Sequence, residues 1–287
     1  MPVDLQTLYP RLIHLMLDTV FVVDRDNQIV FVSDACEALL GYQASELIGT
    51  PITDYMHPDD LAMTRASIVR VMSGHPHYDF RNRYIRKDGG VVHILWAACW
   101  SDEADARIGV ARDVTALHLA EEELRFLAHH DPLTRLANRT RFNEQLGTAL
   151  AAARRQDRPL ALLFLDINDF KQINDNHGHS MGDRLLCALA RRLESCVGAG
   201  ETVARMGGDE FTVLLPDCPS PELIAERVTQ ILATMAEPLG AEFAGITTPT
   251  CSIGVACFPE DGNDADTLLR HADGHMYQVK RQRAAAG

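Results

Sequence analysis

Three features are missing from this 287-residue sequence, and each absence excludes a class of protein. No apolar run approaches the ~20 residues that a membrane-spanning helix needs. Residues 1–5 have neither the basic flank nor the apolar stretch of a signal peptide. The seven cysteines are scattered and form no C-x-x-C pair, which favours reduced thiols over disulfides or zinc ligands. We therefore expect a cytoplasmic protein with no membrane insertion.

Positive charge is also scarce. The formal net charge is −13, and a negative field repels both nucleic acid and anionic membrane surfaces, so neither is an expected partner. An anionic substrate would have to be recruited by local cations or by a metal ion. With 46% hydrophobic and 23% charged residues, the composition is typical of globular proteins, and the length predicts two domains.

Residues 1–115 are predicted to form the first domain, in which strand and helix patterns alternate. Two β-prone runs at 20–23 and 29–32 flank a polar turn and predict a hairpin. Helical patterns follow near 35–40 and at 61–72. Three further strands are predicted at 78–85, 91–100 and 108–113, and Trp96, Cys99 and Trp100 are expected to pack a core face or line a cavity.

Residues 116–130 are predicted to form a helical linker. Leu117, Ala120, Leu124 and Leu127 repeat at alternating spacings of three and four, which indicates a short heptad seam. Two interpretations stay open, a solvated connector packed on its own domain and a coiled coil between two chains.

The second domain is predicted to span residues 131–287. Helices are expected at 141–155, 180–195, 221–236 and 264–280, and strands at 160–166 and 249–258, with a hairpin around residue 208. A mixed sheet covered by helices indicates an α/β sandwich.

Acidic residues stand at two informative places in this domain. Asp166 directly follows a near-continuous apolar run that predicts a buried strand. Gly207 and Gly208 precede Asp209 and Glu210 between β-prone runs, which predicts a hairpin with carboxylates at its tip. If strand and hairpin are neighbours, these acids converge and require divalent cations between them. The alternative for any single acid is a solvated turn residue or a helix cap.

Several motifs of the chain resemble known families. The Gly-Gly-Asp-Glu-Phe motif at 207–211, with Asp-Pro-Leu-Thr at 131–134 and the polar segment 174–183, resembles the GGDEF family, the diguanylate cyclases. In the first domain, Leu-Gly-Tyr at 40–42, His-Pro-Asp-Asp at 57–60 and Asp-Val-Thr at 113–115 resemble the PAS sensor fold. The resemblance implies an α/β (α+β) protein, in which a PAS antiparallel sheet with short helices precedes a connector helix and a nucleotidyl-cyclase-like domain with a helix-covered central sheet.

The resemblance also implies roles for single residues. The implied catalytic residues are Asp209 and Glu210. The implied metal ligands, for two Mg²⁺ with Mn²⁺ as an alternative, are Asp166, the Ile167 carbonyl, Asp209 and Glu210. The implied substrate-binding residues are Phe170, Lys171, Asn174, His179, Asp183, Gly207, Gly208 and Lys280. Among them, an Asn amide and an Asp carboxylate complement the polar edge of guanine, and adenine would leave them unpaired.

The implied activity condenses two GTP into cyclic di-GMP and two pyrophosphates. Each domain would hold one GTP, so the resemblance implies a homodimer formed through the linker helix and PAS domain, with cyclic di-GMP effectors downstream. Two rival interpretations stay open, a degenerate domain that binds GTP without turnover and a cyclase for another nucleotide.

The chain departs from the family pattern in two places. Arg-Gln-Arg-Ala at 281–284 replaces the usual Gly-Arg-Asn end, and Arg283 is the candidate substitute for the second phosphate-binding arginine. Gly198 and Glu201 stand where relatives carry the Arg-x-x-Asp of a product-inhibition site, so this site is predicted to be absent. In the PAS domain, helix 61–72 has no histidine and the flavin-binding cysteine signature is missing, so neither haem nor photosensor flavin is expected.

Overall fold

The computed structural model of the protein describes residue 13, residues 15–217 and residues 220–286. The features noted above at residues 1–5, Cys218 and residue 287 lie outside the described residues. The chain divides into two compact units, one ending at Glu123 and the other beginning at Leu124. Within the described part of the chain, no helix is long and apolar enough to cross a bilayer.

The first unit is built on one antiparallel sheet. Its strands are β1 (Thr19–Val23), β2 (Ile29–Val32), β3 (His77–Ile85), β4 (Val91–Ser101) and β5 (Ala106–Asp113), in the order β2-β1-β5-β4-β3. Between β2 and β3 lie α1 (Cys36–Leu40), α2 (Ala44–Leu47), two 3₁₀ turns (Ile52–Tyr55 and Pro58–Asp60) and α3 (Leu61–Met72). The predicted antiparallel sheet with short helices is confirmed.

The β1–β2 hairpin confirms the prediction from turn chemistry. Asp24 Oδ1 accepts hydrogen bonds from the backbone N–H of Asp26 at 2.9 Å and of Gln28 at 2.8 Å. Asn27 adopts the left-handed conformation with φ 65°, which Asn tolerates better than most residues. The carboxylate thus replaces backbone partners in the turn.

The inner face of this sheet carries the core. Phe21, Tyr84 and Trp96 form an aromatic cluster, with ring centroids 5.4 Å apart for Phe21–Trp96 and 5.7 Å for Tyr84–Trp96. Trp96 is buried as predicted, whereas Trp100 is partly exposed and donates its indole N–H to Asp102. The core role therefore belongs to Trp96.

The predicted linker forms helix α4 (Thr115–His129), and the boundary between the two units lies inside it. None of its residues is buried. Leu117 and Leu124 of the heptad seam are exposed by 51% and 67%. Several leucine side chains of this helix thus lack apolar cover within the described chain.

The second unit is a helix-covered sheet. Its strands are β6 (Leu160–Ile167), β7 (Thr202–Gly207), β8 (Glu210–Pro216) and β9 (Cys251–Phe258), in the order β7-β8-β6-β9. Its helices are α5 (Arg139–Gln156), α6 (Phe170–His177), α7 (His179–Ser195), α8 (Pro221–Met235) and α9 (Ala265–Ala286), with a 3₁₀ turn at Ala241–Phe243. All strand ladders are antiparallel, and the parallel component expected of a mixed sheet is one bridge between Ala137 and Ala204.

Strand β6 explains how two helical layers share one sheet. All eight of its residues are buried. Residues such as Leu163 and Leu165 pack in the same cluster as α7 and α8 side chains, whereas Leu162 and Phe164 pack with α5 and α9. Because side chains alternate across a strand, an apolar strand between two helical layers reads as a continuous apolar run.

Three of the differences from the sequence prediction have a clear physical reason. Helix α6 was not predicted, because it is short, rich in Asn and Asp, and starts after Asp169 in a left-handed conformation with φ 60°. Helix α9 runs past Lys280 to Ala286, since the Arg and Ala residues there favour helix. Strand β9 begins at Cys251 rather than residue 249, because Pro249 has no N–H to donate.

Candidate active site

The glycine-rich hairpin joins β7 to β8 as the sequence predicts. Gly207 and Gly208 have φ of 146° and 53°, values that residues with a side chain rarely adopt. The turn residues are Gly208 and Asp209, and Glu210 begins β8. The two carboxylates thus stand at the turn and on the first position of the strand that leaves it.

Two residues outside the predicted set hold this turn. Arg205 donates to the Gly208 carbonyl from Nη2 at 2.7 Å and from Nε at 2.9 Å. Its Nη1 forms a half-buried ion pair with Asp131, 3.0 Å from Oδ1. Asp131 also accepts from the N–H and hydroxyl of Thr134. Although burial acts in the opposite direction, the bonds from Thr134 and Arg205 hold the pKa of Asp131 below its usual value. No sequence pattern indicates this role of Arg205.

Asp166 and Glu210 are direct partners in the β6–β8 ladder. Asp166 is only 8% exposed, and one of its carboxylate oxygens accepts from Lys280 Nζ of α9 at 2.5 Å. The structure therefore brings Asp166, Glu210 and Lys280 together, although Lys280 lies 114 positions away in the chain.

The two acids of the hairpin have perturbed acidities. Burial, followed by the negative charge of Asp166, raises the pKa of Asp209. Burial, followed by the charges of Asp273, Asp166 and Asp209, raises the pKa of Glu210. These carboxylates are thus partly desolvated and repel one another, and a nearby cation would relieve both effects.

The carboxylate oxygens of Asp166, Asp209 and Glu210 are chemically suited to bind a hard divalent cation. Asp166 and Glu210 stand on neighbouring strands, and Asp209 and Glu210 are disfavoured in their charged forms. Carboxylates are the ligand type that Mg²⁺ prefers. In the described residues, however, no three His, Cys, Asp or Glu side chains form a ready ligand cluster. Lys280 is the cation that neutralises Asp166 in this structure.

A buried polar network fixes the backbone just after Asp166. Asn168 is buried, donates its side-chain N–H to Thr250 Oγ1 at 2.9 Å, and accepts from the Ser252 hydroxyl at 2.8 Å. Its backbone N–H donates to the Thr250 carbonyl. These bonds to β9 and to the segment before it position the end of β6, and no sequence motif predicts them.

Five of the predicted substrate-binding residues lie on two consecutive helices, with Phe170, Lys171 and Asn174 on α6 and His179 and Asp183 on α7. Asn174 has a buried side-chain oxygen with no hydrogen-bond partner among the described residues. Gly182 is buried beneath it, and a Cβ added there would stand 1.9 Å from Asn174 Oδ1 and 3.1 Å from Phe170. Lys171, His179 and Asp183 are exposed nearby in the chain. An unpaired buried oxygen calls for a donor from a ligand or from water.

A cavity of about 370 Å³ lies beside Glu210 on the α5 and α9 side of the sheet. Arg139, Arg270 and Asp273 contribute charged groups to its wall. The positive charge of Arg139 acts against the rise in the pKa of Glu210. This side of Glu210 is therefore polar and accessible.

Gly198 and Glu201, which stand in place of the Arg-x-x-Asp motif, are hydrogen-bonded to each other. Glu201 accepts from the Gly198 N–H at 2.7 Å and pairs with Arg227 Nη2 at 2.5 Å. Glu201 thus already has a cationic partner in the same unit.

Comparisons with known proteins identify the family of each unit. The family model described as "Diguanylate cyclase, GGDEF domain" matches residues 128–285, and a PAS fold model matches residues 29–108. Diguanylate cyclase DgcM of Escherichia coli is 33% identical over 89% of this chain and 62% of its own length. The chain covers a smaller share of other curated relatives, for example 36% of diguanylate cyclase TpbB of Pseudomonas aeruginosa.

Solved structures of GGDEF domains are similar to the second unit. The crystal structure of the TpbB GGDEF domain is 38% identical, covers 52% of this chain and 92% of that domain, and has a TM-score of 0.51. The coiled coil and GGDEF domain of DgcB from Caulobacter crescentus, in complex with c-di-GMP, is 28% identical, covers 59% and 89%, and has a TM-score of 0.52. The chain therefore belongs to the GGDEF family, with a PAS domain preceding the GGDEF domain.

Proposed function

We propose that this protein is a diguanylate cyclase that condenses two GTP into cyclic di-GMP and two pyrophosphates. The observation that carries the proposal is the register pairing of Asp166 with Glu210 beside the glycine turn. It gathers negative charge where a metal–triphosphate complex would be held, on strands rigid enough to fix it. The relatives named diguanylate cyclase support the same activity.

Guanine recognition is assigned to Asn174 and Asp183. The side-chain amide of Asn174 would donate to O6 or N7 of guanine, and the exposed carboxylate of Asp183 would accept from the ring N–H and the exocyclic amine. Phe170, Lys171, His179, Gly207 and Gly208 are assigned to the surroundings of the bound nucleotide.

Asp166, the Ile167 carbonyl, Asp209 and Glu210 would hold two Mg²⁺, or Mn²⁺ in their place. Bound there, the metal supplies charge neutralisation at the phosphates and lowers the pKa of the attacking hydroxyl. Lys280 contacts Asp166 in this structure. With Asp166 bound to a metal ion instead, Lys280 would be free to donate to a substrate phosphate.

The reaction forms two bonds and breaks two. Each 3′-oxygen attacks the α-phosphorus of the other nucleotide, the bond from that phosphorus to the β-phosphate oxygen breaks, and pyrophosphate leaves with the electron pair. Glu210, which begins β8 beside Asp166, is the candidate to accept the proton of the 3′-hydroxyl. Because one domain holds one GTP, two chains must face each other.

Dimerisation is assigned to the leucine seam of α4 and to the PAS domain, because Leu117 and Leu124 lack apolar cover. A signal received by the PAS domain would then alter how two GGDEF domains meet. We propose a cytoplasmic location, and cyclic di-GMP effectors as the downstream partners.

A product assay tests the function. Purified protein is incubated with Mg²⁺ and either GTP or ATP, and the products are separated by chromatography. We expect cyclic di-GMP from GTP, no product from ATP, and loss of turnover in Asp209→Asn and Glu210→Gln. Glu194→Gln, which changes an exposed acid on α7, is the matched control and should retain activity.

Each alternative gives a different result in this assay. Saturable GTP binding without product would indicate a non-catalytic GTP-binding module. Conversion of ATP would indicate a different cyclase, and wild-type rates in both hairpin variants would refute the assigned site.

A further inference from the structure

A buried arginine in the PAS domain has no anionic partner. Arg107 lies near the start of β5, opposite Val23 of β1 and Trp100 of β4, and is only 7% exposed. Its position places it on the inner face of the sheet, two residues from Gly109, whose added Cβ would contact Trp96. A charged group at such a position is rare unless something neutralises it.

The contacts of Arg107 do not neutralise it. Both terminal nitrogens are 3.4 Å from Asn27 Oδ1, which is long and is shared between two donors. In the described chain Arg107 forms no ion pair, and Asp24 acts on it only at longer range. Burial raises the pKa of Tyr84, so this neighbouring phenol stays neutral and supplies no negative charge. An unpaired buried cation costs free energy that an anion would recover.

Arg107 also borders a small cavity of the first unit. The cavity measures about 40 Å³, and its wall includes Arg107, Thr64, His77, Asn82, Tyr84 and Trp96. One water molecule needs roughly 10–15 Å³ on this scale. The space therefore suits a molecule of about three or four non-hydrogen atoms, far smaller than haem or flavin.

The neutral polar groups of the wall are already paired with one another. Trp96 Nε1 donates to Asn82 Oδ1 at 2.9 Å, Asn82 Nδ2 donates to Thr64 Oγ1 at 3.0 Å, and Thr64 donates to the Asp60 carbonyl at 2.7 Å. The guanidinium is thus the group of the wall with strong donors to spare. A planar fork of N–H donors matches two oxygens in one plane.

We propose that the PAS cavity binds a small planar monoanion, such as acetate, formate or nitrate, through a bidentate contact with Arg107. The anion completes the hydrogen bonds of the guanidinium, and Trp96 and Tyr84 form the apolar part of its site. The three ions share this chemistry and differ in size and source. The proposal does not rest on the catalytic function proposed for the other unit.

Calorimetric titration of the full chain tests the proposal. Acetate, formate and nitrate are added separately at constant ionic strength, maintained with gluconate, which is too large for the cavity. Acetamide is the uncharged match to acetate. In parallel, two-dimensional NMR follows the indole N–H of Trp96, with that of Trp100 as an internal reference.

Three variants define the expected result. Arg107→Gln keeps donors but removes the charge, and should weaken anion binding by at least about tenfold. Ala98→Ile keeps Arg107 but fills the cavity that Ala98 lines, and should also abolish binding. Arg112→Gln changes an arginine of the same strand that pairs with Asp18 at the surface, and should change affinity by no more than about twofold.

The outcomes separate clearly. Saturable binding of at least one anion, lost in Arg107→Gln and Ala98→Ile and retained in Arg112→Gln, supports the proposal, and the best-bound ion identifies the source. Absence of saturable binding, equal binding of acetamide, or retained affinity in a folded Arg107→Gln protein overturns it.

Discussion

Replacing Gly182 by alanine should damage guanine recognition without touching a catalytic group. Gly182 lies in the first turn of α7 and is buried against α6. An added Cβ would stand 1.9 Å from Asn174 Oδ1, 3.0 Å from its Cγ and 3.1 Å from Phe170 Cζ. The Asn174 oxygen must then retreat by roughly 1.5 Å to reach ordinary van der Waals contact.

The size of the effect follows from that displacement. A shift of ~1 Å in a positioning group can cost ~10²-fold in rate, so we expect kcat/KM for GTP to fall by about 10–100-fold, a loss of roughly 1.4–2.7 kcal/mol in transition-state binding. The free energy of unfolding should fall by about 1–3 kcal/mol from overpacking, offset in part by the gain of up to ~1 kcal/mol that alanine gives over glycine in a helix.

A double-mutant cycle assays this mechanism. Initial rates of cyclic di-GMP formation are measured for Gly182→Ala, Asn174→Ala and the double variant, with GTP affinity measured separately. If Gly182 acts through Asn174, the double variant is no worse than Asn174→Ala alone. Gly147→Ala is the control, because Gly147 lies in α5 with no atom within 4 Å of an added Cβ. Full activity in a folded Gly182→Ala protein, or additive losses in the cycle, would refute the reasoning.

Three further predictions concern stability. Lys280→Met removes the counter-ion of Asp166 and should lower the free energy of unfolding in metal-free buffer. We expect a loss of only roughly 1–2 kcal/mol, because the half-exposed Lys280 is partly screened by solvent. Urea unfolding followed by circular dichroism should show partial recovery of stability on adding Mg²⁺, and a loss that Mg²⁺ leaves unchanged would contradict the prediction. Gly254→Ala should destabilise the second unit by about 1–3 kcal/mol or more in urea melts, because the added Cβ would meet the α9 backbone 2.0 Å away. Gly274→Ala, which lies within α9 with open space around it, is the control and should be neutral or stabilising by up to about 1 kcal/mol. Burial, then the charge of the stacked His118, lowers the pKa of His93. The unfolded chain therefore binds the proton at a higher pH than the folded one, and the first unit should lose stability as the pH falls below about 6.5. Urea unfolding followed by tryptophan fluorescence should show a weaker dependence of stability on pH for His93→Gln, and an unchanged dependence would exclude His93 as the cause.

Elements with a clear period were predictable from the sequence. The hairpins and the long helices follow from side-chain alternation and turn chemistry, and the PAS and GGDEF motifs occur in the expected order. Helix α6 was missed because its residues have low intrinsic helix propensity, and its stability comes from packing on α7 instead. The packing of α6 on α7 cannot be predicted from the local sequence pattern.

The site residues divide along the same line. The places of Asp166, Asp209 and Glu210 in the fold could be predicted, because each stands at the end of a readable strand or in a turn. Arg205 could not, since its partner Asp131 lies 74 positions away and an arginine within a strand has no distinctive pattern. Likewise, the contact of Lys280 with Asp166 depends on tertiary packing of α9.

The chemistry of the site depends on the two-residue period of β6. Leu162 and Phe164 pack with α5 and α9, and Asp166 continues that set, which is why Lys280 of α9 reaches it. A register slip of one residue would turn Asp166 toward the α7 and α8 layer, away from Lys280. The pairing with Glu210 would be lost in the same step, because β8 is in register with β6 along its whole length. The apolar residues of β6 that fix this register therefore position the carboxylates as directly as any polar contact does.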